Sequence, residues 1–152
     1  IEHCTDGYLI VDELVRNHVQ CLLGPTVGGK GKIEARNKTF KAGQILENAG
    51  ITFGLITDAP FVPIEGQLLQ AALYVKNGLS REMALKCLTI NNAIITDIDS
   101  RVGSLEPGKD ADVVIWDVEP LATLSQVGIV IIDGQIAYRR KAGESNVDYQ
   151  KL

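Results

Sequence analysis

No apolar stretch in this 152-residue chain approaches the ~20 residues that a membrane-spanning helix needs, and no basic-then-apolar leader opens it. Clustered positive charge is missing too. The net charge is −4, the pI is near 5.1, and only Arg139-Arg140-Lys141 groups basic residues. Nucleic acid and anionic membrane surfaces need concentrated Lys and Arg, so neither is expected as a partner. The short cluster follows a strand and reads as a solvated strand end. Cysteine is scarce: Cys4, Cys21 and Cys87 leave one unpaired and show no CxxC spacing, which predicts free thiols in a reducing cytoplasm. There is no internal repeat. What is present, 45% hydrophobic and 22% charged residues, fits a globular chain with room for one core and a small appendage.

The order of elements is legible from periodicity. Ile1 to Cys4 reads as the tail of a strand, with no Met before it, so this is expected to be the C-terminal portion of a longer protein. Thr5-Asp6-Gly7 reads as a turn able to cap a helix. Leu9, Ile10, Leu14 and Val15 fall at helical spacing between Tyr8 and Asn17. Val19 to Leu23 is a short apolar strand closed by Gly24-Pro25, and a Gly- and Lys-rich loop runs on to about Lys38. A helix marked by Phe40, Ile45, Leu46 and Ala49 ends at Gly50. The β-branched and aromatic run Ile51 to Thr57 is a third strand, which Pro60 terminates. Strand, helix, strand, helix, strand in so short a span predicts parallel βα units. Helices over Gln67 to Asn77 and Arg81 to Leu88 follow, the second capped by Ser80. After about Asp97 the character changes. Glu106-Pro107-Gly108-Lys109 has type II turn chemistry, Val113 to Trp116 is a strand, and Asp133-Gly134 joins two strands in a hairpin. Residues 1–97 and 98–152 are therefore expected to be distinct units, α/β and antiparallel β.

Two constellations carry chemistry. His3 and Asp58 each lie at the carboxyl end of a strand, and parallel strands bring such ends to one rim. An imidazole and a carboxylate suit Zn²⁺ or a similar divalent ion, although catalytic zinc usually takes three protein ligands. Taken alone, Asp58 reads equally well as a helix cap, and a single strand-end His such as His3 is more often structural. The pairs His3-Cys4 and His18 with Cys21 alternate across a strand and cannot grip one ion. Gly24 to Gly31 matches the phosphate-cradling GxxxxGK up to its last position, where Gly31 replaces Ser or Thr and no helix start follows. A loop over the strand ends, with Lys30 or Arg36 reaching a substrate, is the competing reading. Asp110 with Asp112, and Asp97 with Asp99, read as solvated turns rather than calcium ligands.

The stretch from Val102 to Trp116, VGSLEPGKDADVVIW, resembles the C-terminal strand-turn-strand motif of the metal-dependent amidohydrolase superfamily, imidazolonepropionase-like branch. Ile1-Glu2-His3, Thr57-Asp58-Ala59-Pro60 and Val130-Ile131-Ile132-Asp133-Gly134 resemble other signatures of that family, in order. The resemblance implies the last βα units of a TIM-type (βα)₈ barrel, strands six to eight, followed by part of a small β-sandwich. It implies that His3 matches the metal-binding His of strand six. Asp58 would match the Asp of strand eight, which binds metal and shuttles protons. It turns Lys30 and its loop toward substrate recognition. The implied cofactor is one or two divalent ions, most naturally zinc, and the implied reaction is hydrolysis of C–N bonds in small amides, cyclic amides or amidines. The family's first-strand His-x-His, bridging Lys or Glu and fifth-strand His have no counterpart here, and Asn91-Asn92-Ala93 stands where Asn-Pro-Ala is usual. A noncatalytic binding or assembly module on the same scaffold is the alternative. Strands cut from a barrel leave a bare parallel edge, so the isolated chain is also expected to self-associate.

With only two of the expected ligands, the isolated chain should neither hold catalytic metal nor turn over substrate. Elemental analysis and a hydrolysis assay check this; stoichiometric metal held by His3 and Asp58 would contradict it.

Overall fold

The computed structural model describes residues 1–141. Its order is α1 (Val11–Arg16), β1 (Cys21–Leu23), α2 (Lys41–Asn48), β2 (Phe53–Leu55), α3 (Gly66–Lys76), α4 (Arg81–Leu88), α5 (Ile90–Ile95), β3 (Val113–Trp116), β4 (Val127–Ile132) and β5 (Gln135–Arg139). Short 3₁₀ turns occupy Gly7–Ile10 and Ile33–Ala35. The fold is mixed α/β, with a parallel part followed by an antiparallel sheet.

In the parallel part, β1 pairs with β2 through Cys21 with Phe53, Leu22 with Gly54 and Leu23 with Leu55. The ladder runs one residue past β2 at each end, from Cys21 N–H to the Thr52 carbonyl (3.2 Å) and from Ile56 N–H to the Leu23 carbonyl (3.1 Å). Ile1 to Cys4 lies along the other edge of β1. Leu22 N–H reaches the Ile1 carbonyl at 2.8 Å, and Cys4 N–H reaches the Leu22 carbonyl at 3.0 Å. That stretch is bonded like a strand but too irregular to be one.

The helices close over this sheet with their apolar faces. Leu46 of α2, Ala71 and Tyr74 of α3, and Ala84 and Cys87 of α4 are buried with Leu23, Phe53 and Leu55. Full burial of each large side chain contributes about 1.5–3 kcal/mol. Phe40 meets the Tyr74 ring edge-on at 5.1 Å. Ser80 caps α4 as its sequence predicts: its hydroxyl accepts from Met83 N–H at 3.1 Å, and its own N–H donates to Glu47 at 2.9 Å.

Helix α5 has little helical propensity, with three isoleucines and two asparagines in six residues. Tertiary bonding holds it. Asn91 donates to the Phe53 carbonyl at 2.9 Å and Asn92 to the Leu55 carbonyl at 3.1 Å. Cys87 and Gln67 reach the same two carbonyls. The edge of β2 expected to be bare therefore has these acceptors covered by side chains.

In the antiparallel part the order is β3-β4-β5. Asp133 and Gly134, with φ of 49° and 73°, form the hairpin turn that their sequence predicts. Lys109 N–H returns to the Glu106 carbonyl at 3.2 Å, closing the Pro107-Gly108 turn. Asp110 pairs with Arg101 at 2.6 Å and Asp112 accepts from Asp133 N–H at 2.8 Å, so both carboxylates have structural partners. No helix among the described residues is long and apolar enough to cross a membrane.

Gly54 sits where α5 presses on β2: a Cβ there would stand 1.7 Å from Asn92 Oδ1 and 3.1 Å from Leu22. Gly54→Ala should lower unfolding free energy by about 1–3 kcal/mol, read from denaturant titration.

Candidate active site

The carboxyl ends of β1 and β2 are locked together by one buried side chain. Gln70 of α3 has no solvent exposure. Its Oε1 accepts from Thr26 N–H at 2.7 Å, just beyond β1, and its Nε2 donates to the Ile56 carbonyl at 2.8 Å, just beyond β2. Thr26 and Tyr74 hydroxyls meet at 2.5 Å beside it. Burial pushes the Tyr74 hydroxyl well above its ordinary pKa, so it stays protonated. Gly24 is forced by the same closeness: φ is +134°, and a Cβ would stand 2.2 Å from the Ile56 carbonyl oxygen.

Beyond this lock the backbone turns sharply at the two residues singled out by sequence. His3 and Asp58 both adopt left-handed φ of 54°, a conformation that His and Asp tolerate better than most residues. Both side chains are exposed and line one cleft of about 640 Å³, with Thr5, Asp6, Lys32 and Lys38. Neither the imidazole nor the carboxylate has a hydrogen-bond or ion-pair partner among the described residues. Asp58 does not cap α3, which begins at Gly66 with Glu65 at its N-cap position.

The donor chemistry fits a divalent ion in part. A neutral imidazole and a carboxylate, both untethered and facing one cleft, are suitable ligands. Among the described residues, however, no group of three or more His, Cys, Asp or Glu gathers to hold one. Cys4 is buried while its neighbour His3, in a left-handed bend rather than a strand, is exposed, and His18 is exposed while Cys21 is fully buried. All three cysteines are free thiols.

The loop after β1 behaves differently from a phosphate cradle. A 3₁₀ turn rather than an α-helix follows it, and Lys30 Nζ donates to the Arg36 carbonyl at 2.9 Å. Lys30 and Arg36 are exposed and do not line the cleft. The end of the loop is fixed instead. Tyr8 donates its hydroxyl to the Asn37 carbonyl at 2.8 Å, and Asn37 Nδ2 donates to Asp6 Oδ2 at 3.2 Å. Asp6, read from sequence as part of a capping turn, makes no cap bond and serves as this clamp. Lys38 and Gln70 carried no signal in the sequence, because burial of a polar side chain leaves no mark on periodicity.

Comparison with known proteins shows the family. A profile described as the amidohydrolase family matches residues 10–137, a span that includes Asp58 and stops short of His3. The chain belongs to the amidohydrolase family. It is 34% identical over 103 residues to the amidohydrolase tasK of Hapsidospora irregularis, covering 68% of this chain and 10% of that protein. An amidohydrolase structure from Thermotoga maritima superposes with a TM-score of 0.88 at 37% identity, over 92% of this chain and 37% of that one. A Xaa-Pro dipeptidase with bound methionine in its active site superposes with a TM-score of 0.67 at 26% identity, over 92% and 39%. The chain thus spans about a tenth of that curated relative and well under half of each of those two structures.

Gln70→Leu should strand the Thr26 N–H and the Ile56 carbonyl without partners. A loss of about 2–4 kcal/mol in denaturant titration is expected, since each buried orphan costs about 1–3 kcal/mol. A change below 0.5 kcal/mol would show that the lock contributes little, by the scale of ordinary surface substitutions at roughly that size.

Proposed function

We propose that this chain is the C-terminal part of a metal-dependent hydrolase of C–N bonds, with residues 1–97 supplying strands six to eight of a (βα)₈ barrel and residues 98–152 part of a small β-sandwich. The observation that carries the reading is the meeting of His3 and Asp58, from segments far apart in sequence, as untethered side chains in one cleft of an amidohydrolase-family chain. Residues 142–152 of the second unit lie outside the described residues.

His3 offers a neutral ring nitrogen and Asp58 a carboxylate oxygen as two of the ligands for a divalent ion, most naturally zinc; the remaining ligands come from elsewhere in the full-length protein. Such an ion supplies the acidity that makes water a nucleophile at neutral pH. Asp58 takes the proton from the attacking water and returns it to the departing nitrogen, which must leave as an amine rather than an amide anion. The left-handed turn at Asp58, pinned by Phe61 N–H on its carbonyl at 2.8 Å, keeps the carboxylate turned to the cleft. The substrate is a small amide, cyclic amide or amidine, in keeping with the cleft's volume of about 640 Å³. Lys30 and Arg36, at the exposed loop, are the outer substrate contacts of this reading. Free buried thiols support a reducing, cytoplasmic setting.

In the full-length protein, Asp58→Asn should lower kcat for amide hydrolysis by about 10²–10⁴-fold with little change in KM. His3→Ala should lower bound metal as read by elemental analysis. Turnover within twofold of wild type for Asp58→Asn would overturn the assignment.

A further inference from the structure

Lys38 is the one charged side chain of the cleft that is buried. It is 6% exposed, it lines the cleft with His3, Asp6 and Asp58, and its ammonium has no hydrogen-bond or ion-pair partner among the described residues. Asp6 and Asp58 share the cleft, but no ion pair joins either to it. The Lys38 Nζ is not among the buried side-chain atoms that lack a partner, so the stem is packed away while the ammonium opens to the cleft, free to meet a ligand. Its backbone is also held: Lys38 N–H donates to the Ala35 carbonyl at 3.3 Å, and the preceding Asn37 is clamped by Tyr8 and Asp6. Lys30, by contrast, is exposed and already bonded to a backbone carbonyl.

We propose that Lys38 anchors an anionic group of the substrate, a carboxylate, so that the cleft selects small amides carrying a free acid. This rests on the hydrolase reading for its substrate class but not for its binding chemistry. An incoming carboxylate would meet this unpaired ammonium at the cleft surface and form a charge-assisted hydrogen bond with it. The lysine follows the clamped Asn37, which gives it a fixed point in a largely exposed segment. The preference concerns binding, so Lys38 is a specificity residue and takes no part in proton transfer.

The test measures binding to the full-length protein by calorimetry, using the N-acetyl derivatives of proline, methionine and leucine, each beside its carboxamide. At least one acid should bind tenfold or more tightly than its carboxamide. Lys38→Met should abolish that preference, and Lys38→Arg should retain part of it. The unliganded Tm of Lys38→Met should be no lower than that of wild type, which separates lost binding from lost fold. The proposal is overturned if no acid is favoured over its carboxamide, or if the preference survives Lys38→Met. Hydrolysis is scored separately. A Lys38-dependent acid preference with no turnover of any amide would sink the hydrolase reading alone. Turnover with no such preference would sink the Lys38 proposal alone.

Discussion

Gln70 joins two backbones that would otherwise part where they leave the sheet. A single amide group accepts from the chain leaving β1 and donates to the chain leaving β2, within a site wholly shielded from water. Shielding makes the bonds strong and makes their loss expensive, since neither stranded partner can turn to solvent. Gly24 lets the two backbones approach closely enough for this, and Tyr74 with Thr26 fills the space beside them. The cleft begins immediately beyond.

The same logic runs along the far edge of β2. Carbonyls that a further strand would satisfy are taken by Asn91, Asn92, Cys87 and Gln67. Helix α5 is held by these bonds rather than by its own propensity, which is why Gly54 must lack a side chain. Sheet, helix and cleft floor are thus one bonded unit, and the two exposed, left-handed residues His3 and Asp58 project from its rim. Rigid support below and free side chains above is the arrangement that a reactive site requires.

Within the cleft the charges divide by burial. Asp58 and His3 are exposed and available to a ligand from solvent. Lys38 is packed along its stem, and its neighbour Asn37 is held by Asp6 and Tyr8. This difference in exposure follows from where each segment leaves the sheet.

Periodicity and turn chemistry alone determined the parallel-then-antiparallel order, the Ser80 cap, the Asp133-Gly134 hairpin and the place of Asp58 just past β2, because each is a local property of a few neighbouring residues. Family signatures around Asp58 and through Val102 to Trp116 carried the family as well. The tertiary structure decided what depends on distant partners. It made α5 a helix despite poor propensity, turned Asp6 from a cap into a clamp, excluded Asp58 as the cap of α3, and kept Lys30 and Arg36 out of the cleft wall while burying the stem of Lys38. Burial and long-range hydrogen bonding are set by which segments pack together, and no window of sequence contains both halves of such a contact.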